Sequence, residues 1–194
     1  MRLLIATTNP GKVREYRALL AELDLELVGL QDVGIATDVE ETGATYEENA
    51  VLKARSYAEM SGLPTLADDS GLEVDALNGR PGVHSARYAP DSPTRITKLL
   101  AEMINVPDEQ RQARFQCVIA LAWPDGRLDI TRGTCKGVIA HEARGSNGFG
   151  FDPVFYMAEH GATMAELSED FKNTVSHRAR AAHAIRTLLE KSQN

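Results

Sequence analysis

The stretch Pro64-Thr65-Leu66-Ala67-Asp68-Asp69-Ser70-Gly71-Leu72-Glu73-Val74-Asp75 decides the fold. Its first four residues read as a short buried strand. Two adjacent carboxylates and a serine then stand where that strand ends, closed by Gly71. The end of a strand is where α/β proteins place their chemistry. Neighbouring carboxylates repel, and they persist side by side only with a cation, a hydrogen-bond donor or open water at hand. A divalent metal would meet that need. An Asp-Asp-Ser-Gly turn, its side chains capping the local backbone, would explain the same four residues. The segments on either side supply what the tetrapeptide lacks.

Upstream, Leu3-Leu4-Ile5-Ala6 reads as a buried first strand that runs into Thr7-Thr8-Asn9-Pro10-Gly11-Lys12. Val13, Tyr16, Leu19, Leu20 and Leu23 then recur at helical spacing. Asn9 suits the N-cap and Pro10 the first helical position, which sets Lys12 in the opening turn. Free backbone N–H groups, the helix dipole and a lysine at that point favour an anion, although an ordinary capped helix with a solvated lysine has the same sequence. The Walker A spacing is absent. A second strand, Glu26-Leu27-Val28-Gly29, leads to the polar run Val39-Glu40-Glu41-Thr42-Gly43. Thr45 and Glu48 form a capping box for a helix over 46–60 that packs Tyr46, Ala50, Ala54, Tyr57 and Ala58 and carries Lys53. Glu40 and Glu41 are either dipole-favoured acids ahead of that helix or, in company with Asp68 and Asp69, metal ligands.

Downstream, Ser92-Pro93 caps a helix with Ile96, Leu99, Leu100 and Met103 on one stripe. The run from Asp108 to Arg114 reads as a solvated charged connector. Phe115 to Trp123 and Leu128 to Ile139 read as two long strands joined at Pro124-Asp125-Gly126-Arg127, an antiparallel hairpin. A long hairpin in a chain that otherwise alternates strand and helix implies an α/β fold on a long mixed sheet flanked by helices. In Gly145-Ser146-Asn147-Gly148-Phe149-Gly150-Phe151-Asp152-Pro153, glycines interleaved with phenylalanines either let a ligand approach the backbone or merely turn the chain around core aromatics. Ser176-His177-Arg178 opens a last helix. Basic residues in its first turn oppose the dipole and call for an anion or acceptor.

Composition narrows the class. The chain has 194 residues, enough for one domain with a complete core, and shows no repeats. Its formal net charge of −7, with no basic run, excludes broad binding to nucleic acid or to an anionic membrane. Two cysteines, Cys117 and Cys135, make no disulfide framework and suit a reducing cytosol. The apolar run Val118 to Trp123 is too short to span a bilayer, and the N-terminus turns polar at Thr7 too early for a signal peptide. The five histidines show no zinc spacing. A cytoplasmic enzyme-sized domain is expected.

Seven segments carry a resemblance. They are Thr8 to Lys12, Glu41-Thr42-Gly43, Glu48-Asn49-Ala50 with Lys53-Ala54, Ala67 to Leu72, Pro81-Gly82-Val83 with Ser85-Ala86-Arg87-Tyr88, Gly148 to Phe155, and Ser176-His177-Arg178. In this order, over nearly the whole chain, they resemble the inosine triphosphate pyrophosphatase family. The resemblance implies a single domain over 1–194 with the active site in a cleft between two lobes, usually a homodimer. It further implies Mg²⁺-dependent hydrolysis of deaminated purine nucleoside triphosphates (ITP, dITP, XTP) to the monophosphate and pyrophosphate. By that resemblance Thr7, Thr8, Asn9, Pro10, Gly11 and Lys12 cradle the phosphates, with Lys53 and Lys172 adding charge. Glu41 and Asp69 hold Mg²⁺, Asp69 activates water, and Asp68 and Ser70 meet the substrate. Phe149, within the Phe149-Gly150-Phe151-Asp152 loop, stacks on the base, and Asp152, His177 and Arg178 bind near its edge. Two other readings are a nucleotide-binding sensor without hydrolysis and a pyrophosphatase for other modified nucleotides.

Overall fold

Strand β3 (Thr65–Val74) runs straight through the deciding segment instead of stopping ahead of its acids. The computed structural model describes residues 1–192; the expected domain over 1–194 extends to Gln193 and Asn194, which lie outside the described residues. The other strands are β1 (Arg2–Ile5), β2 (Glu26–Gly29), β4 (Gln112–Ala122), β5 (Leu128–Ile139), β6 (Phe155–Met157) and β7 (Ala162–Thr163). They form one sheet in the order β2-β1-β3-β4-β5-β6-β7. Strand β1 pairs in parallel with β2 and β3, whereas β5 with β6 and β6 with β7 are antiparallel, so the sheet is mixed. The registered pairing of β1 with β3 ends at Ile5↔Leu66. Asp68 and Asp69 therefore lie beyond the point where β1 gives way to its loop. The strand end expected at Ala67 is therefore not found: β3 continues past the acids, and it is β1 that ends beside them.

The helices are α1 (Pro10–Leu19), α2 (Tyr46–Ser61), α3 (Ser92–Glu102), α4 (Glu169–Val175) and α5 (His177–Ser192). The expected caps of α1 and α2 are present. The Asn9 side chain accepts from the N–H groups of Gly11 and Lys12, and Thr45 with Glu48 closes the capping box. On α3 the cap is Asp91, one residue ahead of the expected Ser92-Pro93, because its carboxylate accepts the Thr94 N–H.

The chain divides into two compact bodies. One holds Met1–Asp69, Cys117–Gly133 and the chain from His177 on; the other holds Ser70–Gln116 and Thr134–Ser176. In the first body the period-two alternation of the strands sends side chains to two cores. Leu66, Cys117, Ile119 and Leu121 pack with Tyr16, Leu20, Ala181, Ile185 and Leu189 from α1 and α5. Ala67, Val118, Ala120 and Ala122 pack with Ala50, Ala54, Tyr57 and Ala58 from α2. Each large side chain so buried contributes roughly 1.5–3 kcal/mol.

The second body has its own core, in which Leu72, Val74, Leu99, Met103, Phe115, Ile139, Phe151 and Phe155 meet. The solvated connector expected over 108–114 is not all solvated. Arg111 is buried and donates to the carbonyls of Met103, Val106, Ile139 and Ala140. A guanidinium has enough N–H donors to satisfy four chain carbonyls at once, which is what permits its burial. Among the described residues no helix is long and apolar enough to cross a membrane.

Candidate active site

Successive side chains of a strand point to opposite faces, and that resolves the repulsion between Asp68 and Asp69. Asp68 points with Leu66 toward α1 and α5, where Lys12 Nζ lies 3.0 Å and Arg178 Nη2 3.2 Å from its Oδ2. The Cys117 thiol approaches the same oxygen at 3.8 Å. Asp69 points with Ala67 toward α2, where Asn49 Nδ2 donates to its Oδ2 at 2.9 Å. The two carboxylates thus meet different hydrogen-bonding partners, although Lys12 and Lys53 act on both.

Burial by itself would raise Asp68, but Lys12, Arg178 and Lys53 outweigh it and hold the carboxyl well below the usual carboxylate range. It stays ionised at any working pH. Asp69 shifts the other way. Burial raises it, Lys53 and the Asn49 hydrogen bond pull back, and the Glu41 charge adds to the rise. A carboxylate of raised proton affinity is the better proton acceptor near neutrality. The strand therefore offers one permanently charged acid and, next to it, one suited to taking a proton.

Each partner comes from an element whose local sequence fixes it. Lys12 stands in the first turn of α1, as expected. The expected free N–H groups there are partly engaged, since Asn9 Oδ1 accepts those of Gly11 at 2.8 Å and Lys12 at 3.3 Å, while Thr7 Oγ1 accepts that of Asn9 at 3.2 Å. The dipole and the Lys12 ammonium remain to attract an anion. Arg178 stands in the first turn of α5, where its charge opposes the dipole. Asp68 and Glu15 answer that charge, Glu15 Oε2 lying 2.6 Å from Nη1. Burial disfavours the guanidinium, yet the two acids raise its affinity for the proton well above the usual value. The start of α5 comes this close to β5 only because residue 133 is glycine: a Cβ there would fall 2.1 Å from the His177 carbonyl. His177 itself is buried beside Arg178.

On the opposite face Lys53 Nζ donates to Glu41 Oε1 at 2.5 Å and to the main-chain oxygen of Asp68 at 2.7 Å. Burial lowers its proton affinity, and Asp68 and Glu41 more than restore it. Asn49 ties Glu41's loop down as well, for its Oδ1 accepts the Gly43 N–H at 2.8 Å while Nδ2 holds Asp69. Asn49 and Lys53 are four residues apart and share one helix face.

Metal ligands can be sought in the same place. Among the described residues no three acids, histidines or cysteines gather as a cage. A hard dication shared with phosphate oxygens needs only one or two carboxylates and water, so a cage is not required. Glu41 and Asp69 supply two that already feel each other's charge. Nearby, Asp68 Oδ1 is buried and meets no donor among the described residues, so one hard oxygen at the cluster has its lone pairs unused. Glu41 and Asp69 fit a hard divalent cation.

The remaining expected residues lie in the second body. Ser70 follows Asp69 on β3. Asp152 is buried, and its Oδ2 accepts from Lys172 Nζ at 2.6 Å and from the Phe149 N–H at 2.9 Å. Lys172, within α4, also lies 5.0 Å from the Phe149 ring centroid, a cation–π distance. Gly148 permits this clamp: its φ is +76° and a Cβ would stand 2.0 Å from Asp152 Oδ2. Gly150 adopts φ +67°. Phe149 keeps part of its surface exposed, whereas Phe151 is buried in the core with Tyr88 edge-on at 6.1 Å.

Two residues of the cluster escaped the motif reading as site residues. Asn49 is a fully buried amide on the packed stripe of α2, and its signal was a polar residue standing next to Ala50 in that stripe. Glu15 is a buried acid on α1, signalled only by its place beside Tyr16 on the inward face.

A mixed-sheet α/β protein that lines one strand with an ionised acid, a proton-accepting acid and three cations is a protein built for phosphate chemistry. The sequence profile of the Ham1 family matches residues 3–188, and the chain belongs to that family. It is similar to a Geobacillus kaustophilus protein named dITP/XTP pyrophosphatase, 53% identical over 182 residues that cover 92% of this chain and 89% of that one. A Geobacter sulfurreducens protein of the same name is 51% identical over 191 residues, covering 97% of this chain and 96% of its own. Among solved structures, a HAM1 protein from Coxiella burnetii has a TM-score of 0.89 at 42% identity, covering 98% of this chain and 99% of that one.

Proposed function

We propose that this chain hydrolyses deaminated purine nucleoside triphosphates, ITP, dITP and XTP, to the monophosphate and pyrophosphate. The observation that carries the reading is the divided pair on β3, with Asp68 held ionised by Lys12 and Arg178 and Asp69 raised beside Asn49. Relatives about half identical over almost the full length bear the name dITP/XTP pyrophosphatase, which supports the substrate class.

Lys12 and Lys53 place positive charge against the triphosphate, and the Thr7–Lys12 loop follows its outline. Asp69 accepts the proton of the attacking water as the water oxygen bonds to phosphorus and the bond between the α-phosphate and pyrophosphate breaks. Mg²⁺, held by Glu41 and Asp69 when bound, neutralises charge on the phosphate oxygens and the departing pyrophosphate. Asn49 keeps Asp69 aimed. Phe149 supplies an aromatic face for the base, braced by Asp152 and Lys172, and Ser70 meets the substrate next to Asp69. His177 and Arg178 supply donors toward a 6-keto oxygen, which adenine replaces with an amino donor. A fixed donor facing a donor can discriminate by a factor of roughly 10⁴. The same reading takes the enzyme as a cytoplasmic homodimer, and its two cysteine thiols suit a reducing compartment.

The test is pyrophosphate release from ITP, dITP, XTP, GTP, ATP and dTTP, each with Mg²⁺ and with chelator. Metal-dependent release confined to the first three is expected. Binding without release would replace the hydrolase with a sensor, and preference for dTTP or ATP would keep the chemistry and remove the assigned base recognition.

A further inference from the structure

We propose that Lys53 is a resident cation in the metal site, bound where the dication's charge is needed and handed to the triphosphate when metal and nucleotide arrive together. The inference rests on the metal-dependent hydrolase reading and adds an order of binding to it.

Lys53 Nζ is held by a carboxylate oxygen of Glu41 at 2.5 Å and by the main-chain oxygen of Asp68 at 2.7 Å. Two hard oxygens, one anionic and one carbonyl, are the donors a hard dication selects. The ammonium is nearly enclosed, its side chain 12% exposed, and Glu41 is 22% exposed. Lys53 also acts on Asp69, more strongly than Lys12 does. Glu41 thus cannot give its full charge to a dication while Lys53 keeps its place.

Two consequences follow. A dication alone gains Glu41 only by displacing a close ion pair, so the protein without nucleotide binds it weakly. A triphosphate offers the ammonium several oxygens of its own. Moving Lys53 from Glu41 to phosphate then frees the acid and neutralises the substrate in one step, which makes metal and nucleotide binding mutually reinforcing. The lysine stem has the length and rotatable bonds for such a transfer. A binding site assembled this way resists filling by metal when no substrate is present.

The experiment is calorimetric titration of the full chain with Mg²⁺ alone, without nucleotide, for the wild type, Lys53→Met and Lys12→Met. Lys12 contacts Asp68 but not Glu41 in the pairs described above, so its variant reports the general effect of removing one nearby positive charge. Lys53→Met is expected to bind Mg²⁺ about tenfold more tightly than the wild type, the equivalent of releasing one partly buried ion pair. Lys12→Met should tighten it several-fold less. Equal or weaker binding by Lys53→Met, or equal gains in the two variants, overturns the proposal. Lys53→Gln, which keeps a donor without the charge, is read by the same criterion if Lys53→Met does not fold. Wild-type turnover of ITP, measured separately, distinguishes a failure of this inference from a failure of the hydrolase reading.

Discussion

In the first body Asp68 Oδ2 is met by Lys12 at 3.0 Å, Arg178 at 3.2 Å and the Cys117 thiol at 3.8 Å, while Oδ1 meets no donor among the described residues. In the second body Asp152 Oδ2 takes Lys172 at 2.6 Å and the Phe149 N–H at 2.9 Å. Both acids are buried, and both face lysine. The second arrangement shapes a loop, because the carboxylate closes the Gly148–Asp152 turn and the lysine braces the ring it presents. The first keeps one carboxylate oxygen bare and crowds the other with cations, each of which has further donors to turn toward a phosphate. A buried acid and lysine therefore do not define a site; the ratio of charges to partners around them does.

Asp69→Asn strikes that division hardest. The amide can still meet Asn49 but cannot accept a proton from water, so kcat should fall by about 10³, within the range general-base catalysis supplies, with thermal stability close to that of the wild type. Asp152→Asn keeps an oxygen for the Phe149 N–H and should retain most of kcat while raising KM. Steady-state kinetics on ITP for both variants checks this, and equal losses of kcat would erase the contrast between a chemical acid and a shaping one.

The lysines sharpen the contrast through stability. Lys172→Met leaves a buried carboxylate without the cation it holds at 2.6 Å and should cost about 3–5 kcal/mol. Adding Asp152→Asn removes the stranded charge and should restore a large part of that loss. Lys12→Met leaves Arg178 on Asp68, so its cost to folding should be clearly smaller than that of Lys172→Met, with its main effect a raised KM. Urea unfolding of the single and double variants measures all three. A cost for Lys12→Met as large as that for Lys172→Met would show that both lysines serve the fold alike.

Much of this was legible before any coordinates. The strand-loop-helix at Leu3 to Lys12, the capping box at Thr45 and Glu48 and the hairpin over 115–139 follow from local rules of period and capping, and they stand as expected. The acids were expected where their own strand ends, and the continuation of β3 through them was not visible, since Asp and Gly disfavour strands and only pairing with other strands overrides that. For the same reason their repulsion looked like a demand for metal, when a strand's alternation had already parted them. Arg111 read as a solvated charge and Glu15 drew no reading, because sequence gives no measure of a partner more than a hundred residues away, as Arg178 is from Glu15, or of four chain carbonyls gathered by tertiary folding. Phe149 and Phe151 are alike in the sequence, and only the turn at Gly148 and Gly150 decides which one enters the core.

The smallest effect expected is also the most specific to the pair on β3. Asp68 is held below the ordinary carboxylate value of 3.8, so the unfolded chain takes up its proton first as pH falls. Its contribution to stability is present above 3.8 and is lost as pH drops from there through the depressed folded value. Asp69 is raised, chiefly by burial, so here the unfolded chain loses its proton first as pH rises. Its effect has the opposite sign: stability falls as pH climbs from 3.8 through the raised folded value, and is level above it. Two adjacent residues should thus bend the pH profile of unfolding in opposite directions on either side of 3.8. Subtracting the urea-unfolding profile of Asp69→Asn from that of the wild type between about pH 3 and about pH 7, a window that opens roughly one unit below the ordinary carboxylate values and extends well above them, should leave a difference that declines with rising pH and then flattens. A difference that rises instead would mean that Asp69 is a second depressed acid like Asp68, and the assignment of proton acceptor would pass from it.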